Sequence, residues 1–316
     1  MTEKKNKTKN SSIGKSNRIK QNTIYNEDCQ ETLKRMKSNS IDLVITSPPY
    51  NMNLRISTAK RKKFTKKELL KKTKAELVKL SELEEIKITK SAKKDIICDQ
   101  IVERAIVKEG RYHSRQVVKE FSTKYDGFSD NLPIEDYYNL HSSIISELLR
   151  VSKIVFYNIQ IVTGSKRAVA KIIGEFSDYF KDIIIWDKQT AQPAMQTGVI
   201  NRRSELILVF DSEHAMSRQY NQAAFARGTM DDIWSIKRGR KVNKDHGAVF
   251  PEELVEKILL NFSKEGDIVY DPFMGTGTTA VVAKRMNRKY VGSEMIKSFY
   301  KFSEERLSNT QLSLYK

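Results

Sequence analysis

The stretch IVYDPFMGTGTTAVVAKRMNRKYVGSE, residues 268–294, decides the fold of this chain. An apolar run predicts a short strand at its start, and a turn rich in Gly and Thr follows at 271–279. The next residues, 279–286, have the composition of a helix, and a second apolar strand ends just before Glu294. This succession of strand, glycine turn, helix and strand predicts an open α/β sheet.

The same alternation of apolar runs and amphipathic segments extends over much of the chain. The predicted strands are residues 41–46, 154–159, 183–186, 206–210, 268–270 and 290–292. The predicted helices are residues 28–33, 135–149, 165–176, 251–262 and 279–286. Strands that alternate with helices predict an α/β fold with a mainly parallel sheet.

The charge of the chain is concentrated in two segments. The 316 residues carry 57 Lys and Arg against 39 Asp and Glu, a net charge of +18. Residues 1–20 hold seven basic side chains and one acid, and residues 51–120 hold twenty and ten. A basic excess confined to a tail and an insert favours a polyanionic partner over an evenly solvated surface. The length suits one domain of roughly 250 residues plus a small module.

Composition also excludes several classes of protein. The two cysteines, Cys29 and Cys98, form no CxxC pair, which excludes a disulfide scaffold and a cysteine-based zinc site. The four histidines show no ligand spacing, so no metal is expected. No long apolar run is present, and the basic start lacks the apolar stretch of a secretory signal. We therefore expect a soluble, cytoplasmic protein.

The turn at 271–279 suits a nucleoside-type ligand without a pyrophosphate. Gly275 and Gly277 allow a close backbone approach, and the helix start offers free N–H groups. The dinucleotide fingerprint is absent because position 280 is Ala280, and no Gly-Lys-Ser/Thr phosphate loop follows. Glu294, at the end of the next strand, is placed to accept hydrogen bonds from ribose hydroxyls.

The segment SPPYN, residues 47–51, follows the predicted strand at 41–46 and is the candidate base pocket. Proline has no N–H, so the two prolines stiffen the turn and leave their carbonyls free. The Ser47 hydroxyl and the Pro48 carbonyl can accept from the amine of a planar base, on which Tyr50 can stack. Acceptors around that nitrogen favour the geometry in which its lone pair attacks. A purely structural Pro-Pro turn is the alternative, and the glycine turn in the same chain favours the pocket.

TSPPYN at 46–51 and DPFMGTGTT at 271–279, in this order, resemble the motifs of amino-group DNA methyltransferases of the β arrangement. In that family the catalytic motif precedes the cofactor motif. The resemblance implies a Rossmann-like, S-adenosylmethionine-dependent methyltransferase fold with permuted motif order. It also implies double-stranded DNA as partner and methyl transfer to the exocyclic amine of a flipped base.

The resemblance divides the chain and assigns roles residue by residue. The expected catalytic domain comprises residues 22–54 and 116–310, with a disordered basic tail at 1–21, a basic helical insert at 55–115 and a short target-recognition region at 211–234. The base pocket is Ser47, Pro48, Pro49 and Tyr50. The cofactor-binding residues are Asp28, His246, Phe250, Asp271, Phe273, Gly275, Gly277, Thr278 and Glu294. The candidate DNA contacts are Asn51, Arg55, Arg202, Arg203, Arg218, Gln219 and Arg227.

The base that is methylated remains open between cytosine-N4 and adenine-N6. Ser47 favours cytosine-N4, since family members with serine before Pro-Pro-Tyr more often methylate cytosine. Asn51 is frequent in the adenine enzymes, so the preference for cytosine is slight. Cytosine-C5 chemistry needs a nucleophilic cysteine, usually after proline, and the chain has no Pro-Cys. The further alternatives are an RNA base methyltransferase and a non-catalytic DNA-binding protein on the same scaffold.

The insert at 55–115 has a helical pattern of its own. Thr73 and Glu76 form a capping box, and Ser91 is the predicted N-cap of a second helix. Leu77, Leu80 and Leu83 are predicted on one face of the first helix, and Ile96, Ile97 and Ile101 are predicted to face inward on the second. The pattern resembles small SAP or Rho-N-terminal-like nucleic-acid modules, and a decorative helical hairpin is the alternative. The family resemblance also leaves room for a homodimer and for a cognate restriction endonuclease.

Overall fold

The computed structural model describes residues 18–51, 54–55, 61–62, 64–83, 86–104, 106–107, 113–114, 132–162, 164–191, 198–221, 223–239 and 250–311. Three sequence predictions lie outside these residues: the role of His246, the side chain of Arg55, and the disorder predicted for residues 1–17 of the tail.

The described residues form twelve strands and nine α-helices. The strands are β1 Thr23–Tyr25, β2 Ile41–Thr46, β3 Leu54–Arg55, β4 Arg61–Lys62, β5 Ile106–Val107, β6 His113–Ser114, β7 Ser152–Ile159, β8 Phe180–Asp187, β9 Ser204–Asp211, β10 Ile233–Ser235, β11 Ile268–Asp271 and β12 Lys289–Ser293. The helices are α1 Cys29–Arg35, α2 Lys66–Leu69, α3 Lys74–Leu83, α4 Lys94–Arg104, α5 Ile134–Val151, α6 Lys166–Glu175, α7 Glu252–Phe262, α8 Thr278–Arg285 and α9 Lys297–Ser308. A short 3₁₀ helix covers Ser177–Tyr179.

Eight of the strands form one sheet in the order β1-β12-β11-β2-β7-β9-β8-β10. The first five strands of this order, β1-β12-β11-β2-β7, are parallel to one another, and β8 is parallel to β10. Strand β9 runs antiparallel to both of its neighbours. The prediction of an α/β fold with a mainly parallel sheet is therefore confirmed. Two short antiparallel pairs, β3 with β6 and β4 with β5, stand apart from this sheet.

Apolar cores cover both faces of the sheet. Along β2, Leu43 and Ile45 belong to one core, whereas Val44 belongs to the other. This division follows from the period of two in a strand, which sends successive side chains to opposite faces. Helices α7 and α8 pack in the first core, and α1, α5 and α6 pack in the second. A strand buried on both faces explains why β2 appears in the sequence as an almost continuous apolar run.

The described residues of the insert form three helices around a small core of their own. Reciprocal hydrogen bonds between Thr65 and Glu68 begin α2, and the predicted pair Thr73 and Glu76 begins α3 in the same way. The core consists of Leu69, Leu77, Ile97, Cys98 and Ile101.

Two predictions about the insert are wrong. Ile96 is 45% exposed, because α4 turns other residues toward the core, and Leu83, the last residue of α3, is 74% exposed as well. Helix α4 begins at Lys94, so Ser91 is not its N-cap. Cys98, next to Ile97, takes one of the inward positions instead.

Candidate active site

The two segments singled out by the sequence lie side by side at one edge of the sheet. Strands β2 and β11 are parallel neighbours, with Val44 opposite Tyr270. Their carboxyl ends therefore meet at the same edge, where the SPPYN segment and the glycine turn begin. The Thr46 hydroxyl donates to Asp271 Oδ1 at 2.8 Å, across 225 residues of chain. Ligands in open α/β sheets bind at this edge.

The two glycines of the turn have different tasks. Both have positive φ, 54° at Gly275 and 83° at Gly277, which favours glycine over other residues. The Gly275 N–H donates to Glu294 Oε2 at 2.7 Å. At Gly277, an added Cβ would lie 2.7 Å from the Cβ of Ser303 in α9. The close approach that requires Gly277 is thus a helix, whereas Gly275 is the partly exposed glycine of the turn.

The Asp271 carboxylate stabilises the glycine turn by accepting hydrogen bonds from three residues. Its Oδ1 accepts from Thr46 and from the Phe273 N–H, and its Oδ2 accepts from Thr279 Oγ1 at 2.7 Å. Burial raises the pKa of Asp271 to about 6, although these hydrogen bonds act in the opposite direction. This geometry favours a positioning role for Asp271, one step behind a bound ligand.

Glu294, just after β12, lies beside the glycine turn, and the two together are called the glycine corner. Its two carboxylate oxygens accept from the N–H groups of Gly275 and Ile296, at 2.7 and 2.8 Å. Each oxygen keeps a further lone pair for a ligand donor. Burial raises the pKa of Glu294 to about 7. Glu294 is therefore a buried acceptor at the place where the sequence predicts a contact with ribose hydroxyls.

The start of α1 lies beside this corner. Asp28 is the exposed N-cap of α1 and accepts from the Gln30 N–H at 2.8 Å. Two residues earlier, the Asn26 amide donates to the Glu294 carbonyl at 2.7 Å. The structure thus places Asp28, Glu294 and Gly275, which are far apart in sequence, close to one corner.

The other predicted cofactor residues that the structure describes differ in their exposure. Phe273 and Phe250 are half-buried, and the Phe250 ring packs near Trp186 with centroids 6.2 Å apart. Thr278 is buried, and its hydroxyl accepts from Arg306 of α9 at 3.2 Å. Arg306 was not predicted from the sequence, and it also donates to the Thr276 carbonyl at 2.7 Å, which stabilises the turn.

Backbone and side-chain bonds fix the SPPYN segment. Tyr137 donates to the Pro49 carbonyl at 2.9 Å. Asn51 is buried with φ of 57°, and its amide donates to the Leu132 carbonyl at 2.8 Å and the Gly164 carbonyl at 3.3 Å. This placement favours an anchoring role for Asn51 over the DNA contact that the sequence suggested. Of the predicted pocket residues, Ser47 is half-buried and Pro48 is buried.

A buried polar network lies behind Ser47, and the sequence did not indicate it. Tyr50 is only 8% exposed, and its hydroxyl lies 2.7 Å from Ser47 Oγ and donates to Glu205 Oε2 at 2.8 Å. Three further polar residues join it: Asn158 of β7, Lys188 after β8 and Glu205 of β9. The available signals were Asn158 within the apolar run 154–159 and Glu205 just before the run 206–210, and polar residues at such positions are usually exposed to solvent.

The candidate DNA contacts that the structure describes lie on the surface. Arg202, Arg218, Gln219 and Arg227 are exposed. Arg203 donates twice to Asp187, at 2.6 and 2.7 Å, and these hydrogen bonds lower the pKa of Asp187.

Two absences can be stated for the described ranges alone. Within them, no three His, Cys, Asp or Glu side chains are grouped so that they could hold a metal ion. No helix in the same ranges combines the length and apolarity needed to cross a membrane.

Comparison with known proteins identifies the family. The family model N6_N4_Mtase, described as DNA methylase, matches residues 41–305. This span is most of the chain, so the chain belongs to the N6/N4 DNA methylase family. The predicted recognition of an amino-group DNA methyltransferase is thereby confirmed.

Individual relatives are similar over parts of their length. The orphan methyltransferase M.BamHII of Bacillus amyloliquefaciens is 47% identical over 88 residues, 26% of this chain and 33% of its own. The Type II methyltransferase M2.DpnII of Streptococcus pneumoniae is 33% identical over 132 residues, 39% of this chain and 49% of its own. The chain thus spans half or less of the length of these relatives.

The fold has solved counterparts. The crystal structure of the M1.HpyAVI–SAM complex aligns with a TM-score of 0.52 at 17% identity, covering 90% of this chain and 99% of that one. At this identity the likeness shows the fold alone. The predicted S-adenosylmethionine-dependent methyltransferase fold is confirmed.

Proposed function

We propose that this protein is a DNA methyltransferase that transfers a methyl group from S-adenosylmethionine to the exocyclic amine of a flipped base. One observation carries the proposal. The hydrogen bond from Thr46 to Asp271 joins the SPPYN segment to the glycine turn at one edge of the sheet. Direct transfer needs the amine and the methyl donor within contact distance, and this arrangement supplies adjacent sites for both.

The residues of the glycine corner fit S-adenosylmethionine. Glu294 has spare lone pairs for the ribose hydroxyls, Gly275 permits close approach of the backbone, and Asp28 is an exposed acceptor beside them. Phe273 and Phe250 offer half-buried aromatic rings. The bound cofactor supplies an electrophilic methyl group on a sulfonium ion. Asp271 orients the turn from behind.

The SPPYN segment orients the nucleophile. A base amine is a weak nucleophile because its lone pair is delocalised into the ring. Ser47 Oγ and the Pro48 carbonyl accept its two N–H groups, which favours the pyramidal geometry in which the lone pair attacks. Flipping is required because the amine is otherwise paired within the duplex.

We propose cytosine-N4 as the acceptor, on the strength of Ser47 in the first position of the motif. Adenine-N6 is the second candidate, favoured by the Asn51 that follows. Arg202, Arg203, Arg218, Gln219 and Arg227 are the proposed DNA contacts, and residues 211–234 are the proposed recognition region. A cognate restriction endonuclease is a further proposed partner, supported by the Type II names of relatives such as M2.DpnII.

The test is incubation of the purified protein with duplex DNA and isotopically labelled S-adenosylmethionine, followed by nucleoside analysis. We expect labelled N4-methylcytosine, and a measurably lower rate of labelling with the Ser47→Ala variant. N6-methyladenine in its place would overturn the choice of base but not the activity. Label in RNA alone would establish the RNA alternative, and DNA binding without transfer would establish a non-catalytic protein.

A further inference from the structure

A polar network in the core has an ion pair at one end and Ser47 at the other. Lys188 Nζ donates to Glu205 Oε1 at 2.9 Å, and the two side chains are 0% and 10% exposed. The second oxygen, Oε2, accepts from the Tyr50 hydroxyl at 2.8 Å and from Asn158 Nδ2 at 2.8 Å. The Tyr50 hydroxyl lies 2.7 Å from Ser47 Oγ. Burying these polar groups is costly, so their partners define the arrangement strictly.

The direction of each hydrogen bond follows from the ion pair. An ionised carboxylate can only accept and an ammonium group can only donate. The single hydrogen of Tyr50 is therefore committed to Glu205, and the oxygen of Tyr50 can act only as an acceptor toward its other neighbours. The same rule identifies the Asn158 atom beside Oε2 as the amide nitrogen, which also contacts the Tyr50 oxygen at 2.5 Å.

The hydrogen bond from Tyr50 to Glu205 also determines how Ser47 and Tyr50 interact. Since Tyr50 has no second hydrogen to offer, the bond between the two hydroxyls must use the hydrogen of Ser47. The lone pairs of Ser47 Oγ then remain for other donors, because the two hydrogens of Asn158 Nδ2, which lies 3.3 Å away, are directed to the nearer oxygens of Glu205 and Tyr50. A hydroxyl held in this way is an acceptor toward the base pocket, which is what an amine donor requires.

We propose that Glu205, paired with Lys188, is a positioning residue that fixes Ser47 as a hydrogen-bond acceptor for the target amine. The inference rests on the proposed function and adds a residue to that site. If Tyr50 donated to Ser47 instead, the hydrogen of Ser47 would turn toward the amine nitrogen. It would then occupy the lone pair that must attack the methyl group. The network selects between these two states without touching the substrate.

The placement of these residues is rigid, which suits such a role. Asn158 lies near the carboxyl end of β7, and Glu205 lies near the amino end of the antiparallel neighbour β9. Both therefore lie at the edge where SPPYN begins. Lys188 directly follows β8, whose residue Trp186 is opposite Glu205.

The decisive variant is Glu205→Gln, which keeps the shape of the side chain. Lys188 holds the carbonyl oxygen of the new amide, so its NH₂ group faces Tyr50 and Asn158, and the Asn158 amide turns over to present its oxygen to that group. Tyr50 then accepts from the new amide and donates to Ser47, so the hydrogen bond between the two hydroxyls reverses its direction. We expect kcat to fall by about ten- to a hundredfold, the usual effect of a lost hydrogen bond to a reacting group. The KM values for S-adenosylmethionine and DNA should stay close to parental.

A double-mutant cycle separates this role from a structural one. If Glu205 acts only through Ser47, the Ser47→Ala/Glu205→Gln variant should be no slower than Ser47→Ala. Losses that multiply would overturn the proposal. Tyr50→Phe keeps the ring and the ion pair but breaks the link, so it should also lower kcat. Parental kcat in Tyr50→Phe would overturn the proposal even where Glu205→Gln fails to fold.

Glu265→Gln is the matched control, because Glu265 is exposed just before the amino end of β11, on the edge of the sheet opposite the glycine turn. It should retain parental kcat. A parent protein that fails to methylate DNA would overturn the proposed function. A parent that methylates DNA while Glu205→Gln keeps parental kcat would overturn this inference alone.

Discussion

At the scale of single residues, the informative groups are carboxylates in unusual surroundings. Glu294 and Asp271 were both identified from sequence, yet the structure separates them. Asp271 has both oxygens engaged within the turn, whereas Glu294 keeps lone pairs at its surface. Only Glu294 can therefore report directly on a bound cofactor.

The pH dependence of cofactor binding tests this role. Burial raises the pKa of Glu294 to about 7, so the carboxyl loses its proton near neutral pH. A ribose hydroxyl donates to the ionised form, so S-adenosylmethionine affinity should increase as the pH rises from 6 to 8. Calorimetric titration should show a flatter pH dependence and weaker binding in Glu294→Gln. Equal slopes in parent and variant would remove Glu294 from the cofactor site.

The stability of the ligand-free protein should respond in the opposite direction. The folded-state pKa of Glu294 is above its ordinary value of 4.5. The folded protein thus binds this proton more tightly, and that stability is fully present below pH 4.5 and lost as the pH rises through about 7. The free energy of unfolding should fall less steeply over this range in Glu294→Gln than in the parent. Identical curves in urea denaturation would contradict the raised pKa.

At the scale of elements, the junction between the glycine turn and α9 depends on one glycine. Gly277→Ala combines an unfavourable positive φ with a clash against Ser303. Gly266→Ala is the matched control, because φ there is 84° and a Cβ would meet nothing within 4 Å. The control should cost about 1–2 kcal/mol of unfolding free energy, and Gly277→Ala should cost more. Equal losses in chemical denaturation would show that α9 can move away.

The same elements show which parts of the fold and of the site could be predicted from the sequence. Strand β2, which is buried on both faces, leaves an apolar run that was identified to the residue, whereas the other predicted strands are shorter than the observed ones. Helix α9 was missed, since its buried residues Phe299, Ser303 and Leu307 include a serine and lie in a polar stretch. Asn158 and Glu205 were missed because a polar residue in a strand usually faces solvent. Only the three-dimensional pairing of β7 with β9 places them together behind Ser47.

At the scale of the whole molecule, the distribution of charge shapes how a duplex would bind. The described part of the insert has its own core, so the lysines of its helices are held on a folded surface. Lys94 donates to the Leu70 carbonyl at 2.8 Å, which places the start of α4 against the turn between α2 and α3. Exposed Lys72 on that turn and exposed Lys93 before α4 therefore belong to one basic surface. A surface of this kind suits phosphate contacts, which add affinity without reading sequence.

Salt dependence tests this surface directly. Each phosphate contact contributes about 0.9 to the slope of log affinity against log salt concentration, so Lys72→Gln/Lys93→Gln should reduce the slope by up to about 1.8. The matched control is Lys264→Gln/Lys289→Gln, which removes the same charge. Lys264 and Lys289 are exposed at the amino ends of β11 and β12, on the edge of the sheet opposite the glycine turn. The control should keep the parental slope, and both variants should keep parental cofactor affinity and methylate the same sequence. Equal slopes in the two variants would mean that net charge alone matters and that the insert makes no phosphate contact. A changed methylation sequence in the insert variant would instead mean that the insert reads bases, and the proposed recognition region at 211–234 would have to be abandoned.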